Sequence, residues 1–158
     1  MSEPYSVAVA TEKLDEFQKS LEMLIPNPSN YRLLDLNREY TPQELRDLLQ
    51  KYGSYVATLC SLEGRLEAES VLVDKGLKTG LAVAITQLDP KTTIAAREAE
   101  VLASSDTFRD LRKMQIYNEA YSALLKGWKD AYQQAYTTVS RLISLLLGEV
   151  EHLSLRSN

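Results

Sequence analysis

The sequence predicts an all-α fold, mainly long antiparallel helices with coiled-coil-like heptads, assembled as a homo-oligomer. Three observations carry that expectation. At Thr41-Pro42-Gln43-Glu44 a hydroxyl cap, a proline at the first helical position and a glutamate at the third coincide, which marks a helix start. From there Leu45, Leu48, Tyr52, Tyr55, Leu59, Leu62, Leu66, Glu69 and Val73 alternate steps of three and four, and eight of these nine are apolar or aromatic. Farther on, Tyr121, Leu125, Trp128, Tyr132, Ala135, Val139, Leu142, Leu146, Glu149 and Leu153 repeat the alternation with nine of ten uncharged.

The 158 residues fit one domain, read as an N-terminal segment over 1–40 and a helical core over 41–158. In the first segment Thr11 offers a cap, and Leu14, Phe17, Leu21 and Leu24 form one stripe, so a short helix is expected over 11–25. Pro26-Asn27-Pro28 stops it, because each proline restricts its predecessor and lacks an amide hydrogen. Residues 31–40 read as an irregular connection. The first heptad helix is placed at 41–79; Gly53 and Gly64 lower its intrinsic propensity, which implies either stabilisation by packing or close helix approach at small residues, and Gly76 and Gly80 frame its end. Residues 81–88 stay open between a loop, a short β segment and a helical turn. After Asp89-Pro90 a helix runs through Ile94 to Leu102, and Ser104-Ser105-Asp106 supplies a break and a new cap.

The last helix is placed at 106–155. Its seam is flanked by further apolar residues such as Leu124, Ile143, Leu145 and Leu147, a stripe wider than a two-stranded zipper needs. Such a helix exceeds the width of a 158-residue globule, so either it breaks at a glycine or it meets other subunits, and its broad apolar stripe favours the second. Neighbouring subunits are therefore expected to meet along it, at Tyr121, Leu125, Trp128, Tyr132, Val139, Leu142, Leu146 and Leu153.

Apolar residues make up 44% and charged residues 25%, the balance of a folded chain. The longest apolar runs fall far short of a membrane span. With no secretory pattern at the start and one cysteine, a cytosolic protein is expected. No metal ion or cofactor is called for: His152 has no ligand neighbours, and Cys60, one step from Leu59, reads as a buried small hydrophobe rather than a nucleophile. Catalysis is not expected. Net charge is −4, which argues against indiscriminate binding of nucleic acid by a monomer. Two cationic groups nevertheless stand out, Lys75 with Lys78 and Arg109 with Arg112 and Lys113. Each has a plainer reading as a solvated face paired with Asp74, Asp106 or Asp110.

The capped heptad helix, the Lys75/Lys78 turn, the stretch Arg97-Glu98-Ala99-Glu100-Val101-Leu102-Ala103-Ser104 and the Tyr/Trp/Leu-rich last helix together resemble UvsY-type phage recombination mediators over about residues 41–155. The resemblance implies a cofactor-free, ring-like oligomer that binds single-stranded DNA. It also implies partners: a RecA-type recombinase, and the single-strand binding protein which that recombinase replaces. The family's basic motif would fall on Lys75 and Lys78, and its oligomerising helix on about Tyr121 to Leu153. A different class of protein, a helical adaptor or structural assembly protein without DNA binding, needs only the heptads. An inhibitor that buries a target's helix in the wide apolar stripe is a third reading.

Overall fold

A computed structural model describes residues 7–30, 33–35 and 37–156, with the side chains described only between residues 9 and 148. Four helices, α1 (Val7–Glu22), α2 (Pro42–Ile85), α3 (Ile94–Ser104) and α4 (Asp106–Arg156), account for the regular structure, and no strand occurs among the described residues. The chain divides into two compact units. One comprises Met1–Ser20 with Glu63–Leu124, the other Leu21–Leu62 with Leu125–Asn158.

The start of α2 is built as its sequence requires. The Thr41 amide donates to Glu44 Oε2 at 2.8 Å, the Glu44 amide donates to Thr41 Oγ1 at 3.2 Å, and Arg38 pairs with the same carboxylate at 2.5 Å. The Thr41 backbone and side-chain hydrogen bonds, helped by the Arg38 charge, hold the Glu44 carboxyl below the ordinary carboxylate range. A depressed folded-state pKa means that this cap contributes stability above the ordinary carboxylate pKa, and that the contribution fades as pH falls through the folded value.

In the second unit α2 and α4 run antiparallel. A Cβ added at Gly53 would stand 3.3 Å from the Tyr136 ring, and Tyr132 packs against Tyr52 and edge-on against Tyr55, at 5.8 and 5.0 Å between centroids. Leu45, Tyr52 and Leu59 of α2 are buried with Leu125, Trp128, Tyr132, Ala135 and Val139 of α4. Two buried tyrosines also fasten the irregular connection. The Tyr132 hydroxyl donates to the Pro26 carbonyl at 2.6 Å, and the Tyr52 hydroxyl donates to the Leu33 carbonyl. Partly buried carbonyls of the connecting segment are thereby satisfied by the core itself.

This arrangement corrects one expectation. Leu125, Trp128, Tyr132 and Val139, expected between subunits, are at most 5% exposed within the chain. The reason is length: α2 is 44 residues long, so α4 finds its apolar partner in the same chain. Leu142 and Leu146 are half-buried along a groove of about 390 Å³ that Arg38, Glu39, Tyr40 and Leu45 also line. Leu153, Glu149 and His152 lie outside the residues whose side chains are described. Among the described residues, the large apolar side chains that α4 leaves exposed are Met114, at 38%, Leu145, at 66%, and Leu147, at 58%.

In the first unit α2 and α4 are again antiparallel, with Asp74 joined to Gln115 and Gly80 facing Phe108. Tyr121, another expected interface residue, stacks on Phe17 of α1 at 4.1 Å and donates its hydroxyl to the Lys13 carbonyl at 3.4 Å. Its half-burial raises the phenol's pKa. Val73, Leu77, Val101 and Asn118 are buried here.

Several boundaries differ from expectation. The first helix starts at Val7, so Thr11 is an internal residue rather than a cap, and it ends at Glu22. Gly76 and Gly80 do not end α2, because neither adopts the positive φ of a helix-terminating glycine. The helix continues to Ile85, and 86–88 close it with bonds from each amide to the carbonyl three residues back. The segment 81–88 is thus helix followed by turn. At its end Arg97 of α3 donates to the Ile85 carbonyl at 3.3 Å, covering one of the orphan acceptors there. Thr93 caps α3, and the single extended residue Ser105 separates α3 from α4. Cys60 is exposed, since one step beyond Leu59 turns the side chain by about 100° around the helix.

The glycines provide a stability test. A Cβ at Gly80 would lie 2.5 Å from Phe108, whereas one at Gly64 would meet nothing within 4 Å. Gly80→Ala is expected to cost about 1–3 kcal/mol by overpacking, and Gly64→Ala to stabilise by about 0.5–1 kcal/mol; urea unfolding that ranks them the other way would refute the packing described. At the helix start, the Glu44 titration followed by NMR should have its midpoint below the ordinary value of 4.5 and should return towards it in Thr41→Ala. An unmoved midpoint would rule out the reciprocal cap.

Candidate nucleic-acid interface

The candidate site lies in the first unit, where α2 carries Lys75 and Lys78, and α4 carries Arg109, Arg112 and Lys113. Antiparallel packing here depends on Gly80, which leaves room for the Phe108 ring beside the α2 backbone. About two turns away, Asp74 Oδ1 accepts from Gln115 Nε2 at 3.3 Å. The other oxygen of Asp74 receives Lys78 Nζ at 2.7 Å, and Gln115 Oε1 accepts from the Arg112 guanidinium at 2.5 Å. Lys78, Asp74, Gln115 and Arg112 therefore form one polar chain across two helices. Lys78 and Arg112, one from each of the two cationic groups, thereby share one surface.

The other expected residues are placed less favourably. Lys113 pairs with Asp110 at 3.5 Å, and Arg109 pairs with Asp106 one turn back on α4. The Arg109 Nε is buried without a hydrogen-bond partner. Lys75 is exposed. Asp74, Asp106 and Asp110 thus each hold one of the five cations, which leaves the group two positive charges in excess. The contrast with the whole chain, at −4, is the electrostatic distinction of this surface.

These pairs differ in what they cost to exchange. Lys78 is 74% exposed at its side chain, and exposed pairs contribute only about 0–1 kcal/mol. A phosphodiester can displace Asp74 from Lys78 with little loss. Lys113, at 27% exposed, is more confined. Lysine tips supply point charges and the Arg112 fork supplies planar donors, a combination suited to phosphate oxygens along a flexible strand. Gly76, with nothing within 4 Å of its Cβ position, leaves the α2 backbone accessible beside Lys75. The glycine at position 80, by contrast, is filled by Phe108.

Sequence reasoning did not find the two connectors. Asp74 stood out only as the neutralising partner of Lys78, and its bond to Gln115 joins residues 41 apart in the chain. No periodicity encodes such a pairing. Among the described residues no group of His, Cys, Asp and Glu could hold a metal ion, and no helix is long and apolar enough to cross a membrane. Comparison with known protein families, with characterised proteins and with solved structures gives no match to this chain.

Asp74→Asn keeps an acceptor for Gln115 while freeing Lys78. If a single strand of DNA uses this surface, affinity should rise a few-fold and the log–log salt slope should steepen by about 0.7, one added phosphate contact. Unchanged affinity and slope in a fluorescence-anisotropy titration of wild-type and variant would place the strand elsewhere.

Proposed function

We propose that this protein binds single-stranded DNA without sequence preference and acts as a non-catalytic recombination mediator, helping a RecA-type recombinase take the place of single-strand binding protein. The observation that carries the DNA-binding part is the Lys78–Asp74–Gln115–Arg112 chain, which sets cations of two helices on one surface beside Lys75. The mediator role is supported by the resemblance of residues 41–155 to UvsY-type proteins. With so few net charges per subunit, useful affinity calls for repetition of the surface in a homo-oligomer, where weak sites act together. The exposed Leu145 and Leu147 of α4 support association, in the manner of apolar side chains awaiting a neighbour.

A second reading, a helical adaptor that assembles but does not hold DNA, is favoured by the aspartates that occupy three of the five cations. One titration separates the two. Labelled oligothymidine should bind the intact protein with an affinity that drops steeply between 50 and 200 mM salt on the order expected for several phosphate contacts. The double variant Lys75→Ala/Lys78→Ala should weaken binding by about tenfold or more while leaving the circular dichroism spectrum unchanged. Absence of binding, or binding indifferent to salt and to the double variant, favours the adaptor. If DNA is bound, restoration of recombinase filament assembly on strands pre-coated with single-strand binding protein tests the mediator step itself.

A further inference from the structure

In the first unit, the side of α2 turned away from the buried Val73 and Leu77 carries an exposed surface with an internal symmetry. Leu72, 71% exposed, is at its centre. Four residues to either side are Ala68 and Gly76, both exposed, and a Cβ at Gly76 would meet nothing within 4 Å. Three residues to either side are Glu69 and Lys75, also exposed. At 100° per residue, all five fall within about 60° of the direction of Leu72.

Such a face is self-complementary in one orientation. If two copies pair antiparallel about a twofold axis through Leu72, each position n residues after it meets the position n residues before it on the other copy. Leu72 then meets Leu72, Lys75 meets Glu69, and Gly76 meets Ala68. Every off-axis contact occurs twice, as an isologous interface requires. The charges attract, and the small residues admit the second backbone closely enough for the leucines to touch. Parallel pairing would instead set Glu69 beside Glu69 and Lys75 beside Lys75, which repels.

We infer that this face of α2 is a homodimer contact, occupied by the same face of a second copy in antiparallel orientation. It spans two to three turns, well below the roughly 800 Å² per partner of a standard stable interface. The contact is therefore weak and concentration-dependent, and cross-linking captures it better than isolation of a dimer. Lys75 and Gly76 also belong to the proposed DNA surface, so the pairing is tested with no DNA present, and its failure is read at Leu72 and Glu69, which that surface does not use.

The test uses the full chain. Cys60 is the one cysteine and is exposed, so it is first replaced by Ser. In that background Leu72→Cys should form a disulfide-linked dimer under mild oxidation. Val83→Cys, also exposed on this side of α2, should not: it lies 11 residues from the axis, which sets two copies about 33 Å apart. Added to Leu72→Cys, either Glu69→Lys or Lys75→Glu alone should lower the cross-linking rate by about tenfold through like-charge contacts, and the two together should restore it. Equal cross-linking at positions 72 and 83, none at 72, or failure of the double charge reversal to restore the rate would overturn the inference.

Discussion

A helix of 44 or 51 residues does not stand by local propensity when glycines interrupt it; it stands because it buries a face. In both units that face is shared between a stretch of α2 and a stretch of α4, and most other features of the chain follow from the sharing. The buried positions of α2, Leu45, Tyr52 and Leu59 in one unit and Val73 and Leu77 in the other, keep α2 helical through Gly53, Gly76 and Gly80. Two of those glycines have turned the weakness into an approach, one beside Tyr136 and one beside Phe108. The same sharing is why most of the α4 seam is closed within the chain, so any assembly must use what remains on the surface.

Aromatic residues carry two duties in this core. Tyr52 and Tyr132 bury large rings and then spend their hydroxyls on the carbonyls of Leu33 and Pro26, so that a connection poor in regular structure is held by directed bonds. A leucine at either position would fill space and leave a carbonyl unanswered. In the other unit Phe17 and Tyr121 join α1 to α4 by stacking, and the Tyr121 hydroxyl reaches the backbone of α1.

The candidate DNA surface is a by-product of the same antiparallel register. Opposing the end of α2 to the beginning of α4 sets Asp74 against Gln115, and through them Lys78 and Arg112 share one surface. The surface is moderated by its own aspartates. An acidic chain with a small cationic excess at one place favours reversible contact with phosphates over tight retention, the behaviour that the proposed mediator role requires.

Most of the helices and the buried stripe were legible in the sequence, although the start of α1 and the end of α2 were not. The capping box at Thr41 and Glu44, the short α3 and the long α4 were legible because each is written in local chemistry, a cap or a period of three and four. The five cations were legible too, and so was the chance that Asp74, Asp106 and Asp110 would pair with them, since those partners lie within one turn. Only tertiary structure decided who covers the α4 seam, because an apolar stripe states that it must be buried and not by which chain. It also decided that α2 runs on through Gly76 and Gly80, as packing against Phe108 outweighs a propensity cost of about 1 kcal/mol per glycine. Finally, it decided that Lys78 and Arg112 belong to one surface, since their link through Asp74 and Gln115 depends on the register of two helices, which no local pattern specifies.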